Sequence, residues 1–189
     1  MTPTAPSPVI LLAGVPGAGK TETLKEVRRR APWLRVSDPE TVRDGLRRLA
    51  PWLPYTLGRP IVHTIAHVLA LFRILRRGGP PLIVHDPGTR RWSRRLFLRL
   101  ARLSRRPAIG VFIDVDRDVA LRGQKKRSRI VRGPAFARHW RRWLGLRSHL
   151  IAEEEPAPGE RWPQIVLTTR DRAVDDVLAL VFADGTGRL

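Results

Sequence analysis

Cysteine is absent from this chain, which excludes disulfides and thiolate chemistry. Long apolar runs are absent too, and none approaches the roughly 18–20 residues that a membrane span requires. Lysine is confined to Lys20, Lys25, Lys125 and Lys126, although the formal net charge is +19. Arginine therefore carries the cationic excess. Acidic residues are missing from long stretches: between Gly45 and Ile113 only Asp86 is acidic, and between Arg117 and Leu150 only Asp118. Most remaining acids gather in the last third, from Glu153 to Asp184. Such polarisation predicts a basic middle that attracts phosphorylated ligands or nucleic acid. A GC-rich genome yields the same arginine bias, so nucleic acid stays open as a partner and is not required.

The 189 residues suffice for one α/β domain with a sizeable core and are short for two. Residues 1–8, rich in Pro and Thr and without positive charge, read as a disordered lead and not as a signal peptide. Residues 184–189 read as a tail. No membrane partner and a cytoplasmic location are the default expectation, and the oligomeric state is left open.

The most informative stretch runs from Val9 to Thr21. An apolar segment of strand length feeds the loop Gly14-Val15-Pro16-Gly17-Ala18-Gly19-Lys20-Thr21, and good helix formers follow to Arg30. A Gly-x-x-x-x-Gly-Lys-Thr loop between a strand and a helix has the context of a phosphate-binding P-loop. Its backbone N–H groups form an anion nest, and the helix that follows turns its positive dipole end toward the same anion. Lys20 is placed for the β- and γ-phosphates, and the Thr21 hydroxyl for magnesium. ATP and Mg2+ are the implied cofactors. The segment Thr168-Thr169-Arg170-Asp171, where a purine base usually packs, lacks the Asn/Thr-Lys-x-Asp pattern that selects guanine, which favours ATP over GTP.

Strand and helix signals alternate along the chain, which predicts a parallel sheet with helices on both faces. Strands are expected at Val9–Ala13, Leu34–Ser37, Leu82–His85, Ala108–Val115 and Gln164–Thr168. Residues 51–60 are expected to be irregular. A helix from about Pro60 to Arg77 should bury Ile61, Ile65, Val68 or Leu69, Phe72 and Leu75. A second, from about Arg90 to Leu103, should bury Trp92, Leu96, Leu100 and Leu103. Leu46 and Leu49 should share a face of the helix opened by Pro39.

Ligands of open parallel sheets sit at the carboxyl ends of the strands. Asp38 follows the second strand and is placed to take a proton from an attacking hydroxyl; Asp-Pro-Glu would also suit a helix N-cap there. Asp86 follows the third strand and is placed for magnesium; a turn residue before Pro87-Gly88 is the structural alternative. Arg43 lies on the helix after Asp38, where it either clamps an anionic substrate or is solvated. Arg122, Lys125, Lys126, Arg127 and Arg129 follow the fourth strand, where P-loop kinases keep a lid at about residues 122–134. Arginines there would neutralise charge on the transferred phosphoryl group and exclude water; a basic surface helix is the structural alternative. His63 and His67, one helical turn apart, lack a third ligand for a metal.

Together these residues resemble the small P-loop kinases related to polynucleotide kinases and zeta toxins, often labelled AAA-type ATP-binding proteins. The resemblance implies a three-layer fold with a five-stranded parallel sheet of order 2-3-1-4-5 and a helical lid. It also implies transfer of phosphate from ATP to a hydroxyl acceptor. That group carries Asp-x-x-Arg after strand two; here Asp38 and Arg43 are two residues further apart. The alternatives are a nucleic-acid-associated ATPase or ATP-gated binding module, and a fold member that binds ATP without catalysis. The motor-ATPase reading lacks the adjacent Asp-Glu that activates water.

Overall fold

A computed structural model of the chain describes residues 6–52, 55–76, 79–125 and 133–183. The elements run β1 (Val9–Ala13), α1 (Lys20–Arg30), β2 (Arg35–Ser37), α2 (Pro39–Leu49), α3 (Tyr55–Leu75), β3 (Leu82–His85), α4 (Arg91–Leu103), β4 (Ala108–Asp114), α5 (Arg117–Lys125), α6 (Gly133–Ala152), β5 (Gln164–Thr169) and α7 (Ala173–Ala183). The five strands form one sheet of order β2-β3-β1-β4-β5, and every neighbouring pair is parallel. This is the order the resemblance implies. Helices flank the sheet: α1 packs against α7, and α3 against α2 and α4. The segment proposed as the tip of the lid, including Lys126, Arg127 and Arg129, lies outside the described residues, as does the tail from residue 184.

β1 is buried along its whole length, because it has strands on both edges and helices over both faces. Continuous apolar runs such as Val9–Ala13 and Ala108–Ile113 are what a doubly covered parallel strand needs. Gly110 lets two aromatic rings close on β4: an added Cβ would stand 2.7 Å from Phe112 and 3.3 Å from Trp162. Phe97 of α4 stacks on Trp162 at 5.6 Å, and Trp143 of α6 lies over Phe112 at 6.5 Å. Below the sheet, Arg106 replaces a hydrophobic plug. Its guanidinium donates to the carbonyls of Ser7, Pro8 and Pro80, so the ordered frame reaches back into the N-terminal lead.

Several helix faces differ from expectation. α3 begins at Tyr55, within the segment expected to be irregular, and runs through Pro60. A proline so near a helix start removes only one hydrogen bond, close to an end that frays anyway. α3 buries Val62, Ala66, Ala70 and Ile74, a ridge of mostly small side chains at i, i+4 spacing. The residues expected inside, Ile65, Val68, Leu69, Phe72 and Leu75, are exposed, Phe72 by 72%. The side chain of Ile61 lies outside the described residues. Small residues let α3 approach its neighbours closely, which large ones would prevent.

α4 is turned likewise. It buries Arg94, Phe97, Leu98 and Ala101, while Trp92 and Leu103 are exposed and Leu96 is largely so; of the predicted stripe only Leu100 packs on the core, and partly. The cause is an ion pair that residue-type patterning does not register. Arg94 donates to both carboxylate oxygens of Glu160, at 2.8 and 3.0 Å, and to the carbonyl of Gly88 at 2.7 Å. Glu160 is fully buried and its second cationic neighbour is Arg91, at 3.5 Å. Leu46 is half-buried and Leu49 is exposed, so α2 buries less than its pattern suggested.

Breaking a buried, bidentate pair leaves one charge uncompensated. Glu160→Gln should therefore lower unfolding free energy by about 3–5 kcal/mol. Urea unfolding followed by tryptophan fluorescence reads this directly, and a loss below that of a surface substitution would contradict the pairing.

Candidate active site

The centre of the candidate site hangs from the carboxyl ends of β2, β3 and β1. Gly14, Gly17 and Gly19 have φ of 147°, 92° and 108°, a region that residues with a Cβ rarely adopt. At Gly17 the need is also steric, since an added Cβ would strike the carbonyl oxygen of Ala120 in α5. α5 is thus seated on the loop, and Gln124 adds a hydrogen bond to the carbonyl of Pro16 at 3.3 Å. Lys20 and Thr21 open α1 and are both buried. The Lys20 ammonium donates to the carbonyls of Gly14 at 2.7 Å and Val15 at 3.0 Å, which folds the side chain back along the loop.

The loop after β3 is stitched to this cradle. The Gly14 N–H donates to the carbonyl of Pro87 at 3.1 Å, and the Asp86 N–H to that of Leu12 at 3.3 Å. An Asp86 carboxylate oxygen accepts from the Gly88 N–H at 2.7 Å and from the Ser93 hydroxyl at 3.3 Å, while His67 of α3 stands 3.9 Å from the other oxygen. Asp86 is therefore a turn residue as well as a carboxylate beside the P-loop. Gly88 has φ of 66°, and a Cβ there would meet that of Ala13 at 2.5 Å.

Asp38 is buried and immediately precedes α2. Register explains its neighbour: β2 and β3 pair Ser37 with Val84, so the next residues, Asp38 and His85, come side by side. His85 Nδ1 lies 3.1 Å from Asp38 Oδ1. Arg43 turns to Asp44 instead, donating to its carboxylate at 3.2 and 3.3 Å.

Patterning missed three contributors: His85, His139 and Arg147. His85 was discoverable, being next to Asp86 on a recognised strand. His139 of α6 was not, because Thr89, whose hydroxyl lies 3.0 Å from its Nδ1, is fifty positions away. Arg147 of α6 grips Asp114 at the end of β4 at 2.7 Å, which anchors the helix that carries His139. Arg170, after β5, lies against Gly19, within 3.2 Å of where a Cβ would be. It lines a recess of about 420 Å³ that extends along α1 from Gly19 and Thr23 to Arg29, beside the segment 168–171 expected to meet a purine base. Arg122 is exposed on α5.

The donor set fits a triphosphate and its cation. Positive-φ glycines, a buried lysine and a buried threonine hydroxyl are what such an anion demands. Among the described residues no group of three or more His, Asp or Glu side chains is arranged to hold a metal ion without such a ligand.

Burial, and the cations Arg90, Arg142 and Lys20, push the His139 imidazole below its ordinary value of 6.5, with Asp86 opposing. The unfolded chain then binds the extra proton first, so this group's contribution to stability falls as pH drops from 6.5 toward the folded value. Nitrogen-15 NMR should find His139 more than half neutral at pH 6.5, where an ordinary histidine is half protonated; a midpoint at or above 6.5 would contradict its placement among cations.

A family model described as AAA domain matches residues 9–148. No curated protein matches the sequence. Among solved structures, the Deinococcus radiodurans tunicamycin resistance protein is similar at 20% identity and TM-score 0.53, over 92% of this chain and 94% of that one. Shikimate kinase from Acinetobacter baumannii is similar at 18% identity and TM-score 0.54, over 96% of each chain. Chaetomium thermophilum Kti12, solved with ADP-AlF3, is similar at 16% identity and TM-score 0.56, over 92% of this chain and 99% of that one. With its P-loop at the head of a 2-3-1-4-5 sheet, the chain belongs to the AAA domain family and has the fold of the P-loop kinases.

Proposed function

We propose that this chain is an ATP- and magnesium-dependent phosphotransferase with a hydroxyl acceptor. The observation that carries the reading is the buried Asp38, held against His85 one strand away from the β3 loop that is bonded to the P-loop. A nucleotide switch or binding module has no need of a buried carboxylate at that position, whereas an acceptor needs a base. The resemblance to polynucleotide kinases and zeta toxins supports the same reaction class.

In this reading the N–H groups of Gly17, Gly19, Lys20 and Thr21 and the Lys20 ammonium hold the phosphates. To do so Lys20 exchanges its two carbonyl partners for phosphate oxygens. Asp38 orients the acceptor and takes its hydroxyl proton as the oxygen attacks the terminal phosphorus and the bond to the bridging oxygen breaks. His85 positions Asp38. Magnesium, held by the Thr21 hydroxyl and the Asp86 carboxylate, would neutralise charge on the phosphates. Arg122, with Arg127 and Arg129 of the lid segment, would stabilise the transferred group and exclude water. Arg170 would cover the base.

Lys20→Ala should abolish transfer and weaken ATP binding, measured by isothermal titration with magnesium present; unchanged affinity would remove the P-loop reading. Asp38→Asn should lower turnover about 10²-fold or more with ATP affinity nearly unchanged. The assay is labelled ATP against a panel of hydroxyl acceptors that includes 5′-OH oligonucleotides. Persisting turnover with a lower melting temperature would make Asp38 a helix cap only.

The acid-poor middle keeps a nucleic-acid-associated ATPase as the second reading, although Arg94 is not available to phosphates because Glu160 holds it. If that reading is right, oligonucleotide affinity should fall with salt at a log–log slope of about −0.7 per phosphate neutralised, and the oligonucleotide should accelerate ATP consumption. A salt slope without acceleration is charge attraction alone.

A further inference from the structure

We infer that the outer face of α3 and α4 docks peripherally on an anionic lipid bilayer. This inference is independent of the phosphotransferase reading.

The face is made by an inversion of the usual helix arrangement. α3 buries its small residues and turns Ile65, Val68, Leu69, Phe72 and Leu75 to the outside. These five positions fall within one arc of about 120° at 3.6 residues per turn, so they form a single stripe. Neighbouring α4, which packs against α3, also presents Trp92 and Leu103, exposed by 55% and 66%. Exposed apolar side chains gathered on two neighbouring helices mark an interaction site.

Charge identifies the occupant. Neither α3 nor α4 contains a single acidic residue. Arg95, Arg99 and Arg102 of α4 are exposed, and one end of the α3 stripe opens into a groove where Arg35, Arg73 and Arg76 stand beside Phe72 and Leu75. A second copy of this chain would bring two arginine-rich, acid-free faces together, which opposes self-association. Nucleic acid would match the charge and could stack on Phe72 and Trp92, but it gains little from the five aliphatic side chains that make up the rest of the face. A bilayer with anionic headgroups matches both properties: apolar side chains enter the acyl boundary while arginines reach the phosphates with their stems along the apolar surface. No described helix is long and apolar enough to cross a membrane, so the contact is peripheral.

The test is flotation with vesicles of phosphatidylcholine alone and of phosphatidylcholine with an equal part of phosphatidylglycerol, at 0.15 M and 0.5 M NaCl as the two chosen conditions. The full chain should float with the mixed vesicles only, and part of the binding should survive the higher salt. Phe72→Ser should lower the vesicle partition coefficient by about tenfold or more, as expected for losing one buried aromatic. Phe72 lies outside the candidate site, and an unchanged far-ultraviolet circular dichroism spectrum of Phe72→Ser verifies that the variant is folded. Absence of flotation overturns the inference, as does flotation of Phe72→Ser equal to that of the parent, which would be charge attraction alone. A dimer in light scattering that Phe72→Ser dissolves, without flotation, assigns the face to a second copy. Loss of oligonucleotide affinity in Phe72→Ser, without flotation, assigns it to nucleic acid. Either result overturns the inference.

Discussion

β1 is hydrogen-bonded on both sides, by β3 and by β4, and the candidate site depends on that double pairing. The pairing with β3 sets the loop from Pro87 to Thr89 beside the P-loop, where the Gly14 N–H closes onto Pro87. The pairing with β4 brings α5 over the glycines, leaving so little room at Gly17 that a side chain would strike Ala120. β2 then joins the far edge of β3 and carries Asp38 to His85. A one-residue slip in any of these parallel registers would turn each side chain to the other face of the sheet. The cradle and the carboxylates would then separate.

Arginine serves three distinct purposes here, and the net charge alone distinguishes none of them. Arg94 is buried against Glu160 and fixes the backbone at Gly88, so it supports the loop that holds Asp86. Arg106 has no carboxylate among its hydrogen-bond partners and ties strand beginnings together through carbonyls, its pKa lowered by burial and by Arg35. At the surface, Arg29 and Arg30 clasp Glu26 and hold its carboxyl down to about 2. The arginines of α4 that remain exposed, with those lining the groove beside Phe72, set the charge of the outer surface, although Arg102 and Arg73 also donate to the carbonyls of Arg161 and Val36.

Local signals were enough for the backbone plan. Continuous apolar runs marked the strands, and the Gly14–Thr21 loop between strand and helix marked the phosphate cradle, because these depend on short-range backbone chemistry. Asp38 and Asp86 were legible from their positions after strands. The inward faces of α3 and α4 were not. Periodicity shows that a helix has an apolar side but assumes that its largest residues point inward. In α3 close packing selects Ala66 and Ala70 instead, and in α4 the Arg94–Glu160 pair turns the helix about its axis.

The sequence by itself determined the order of elements, the parallel sheet and the identity of the anion-binding loop. Each rests on residues adjacent in the chain, whose dihedral preferences and burial patterns are local. Tertiary structure alone decided which distant groups meet: His85 with Asp38, His139 with Thr89, Arg170 with Gly19, Glu160 with Arg94. It also decided that the apolar side of α3 faces outward. These contacts arise from strand register and helix packing, which are properties of the assembled sheet and have no counterpart in the spacing of residues along the chain.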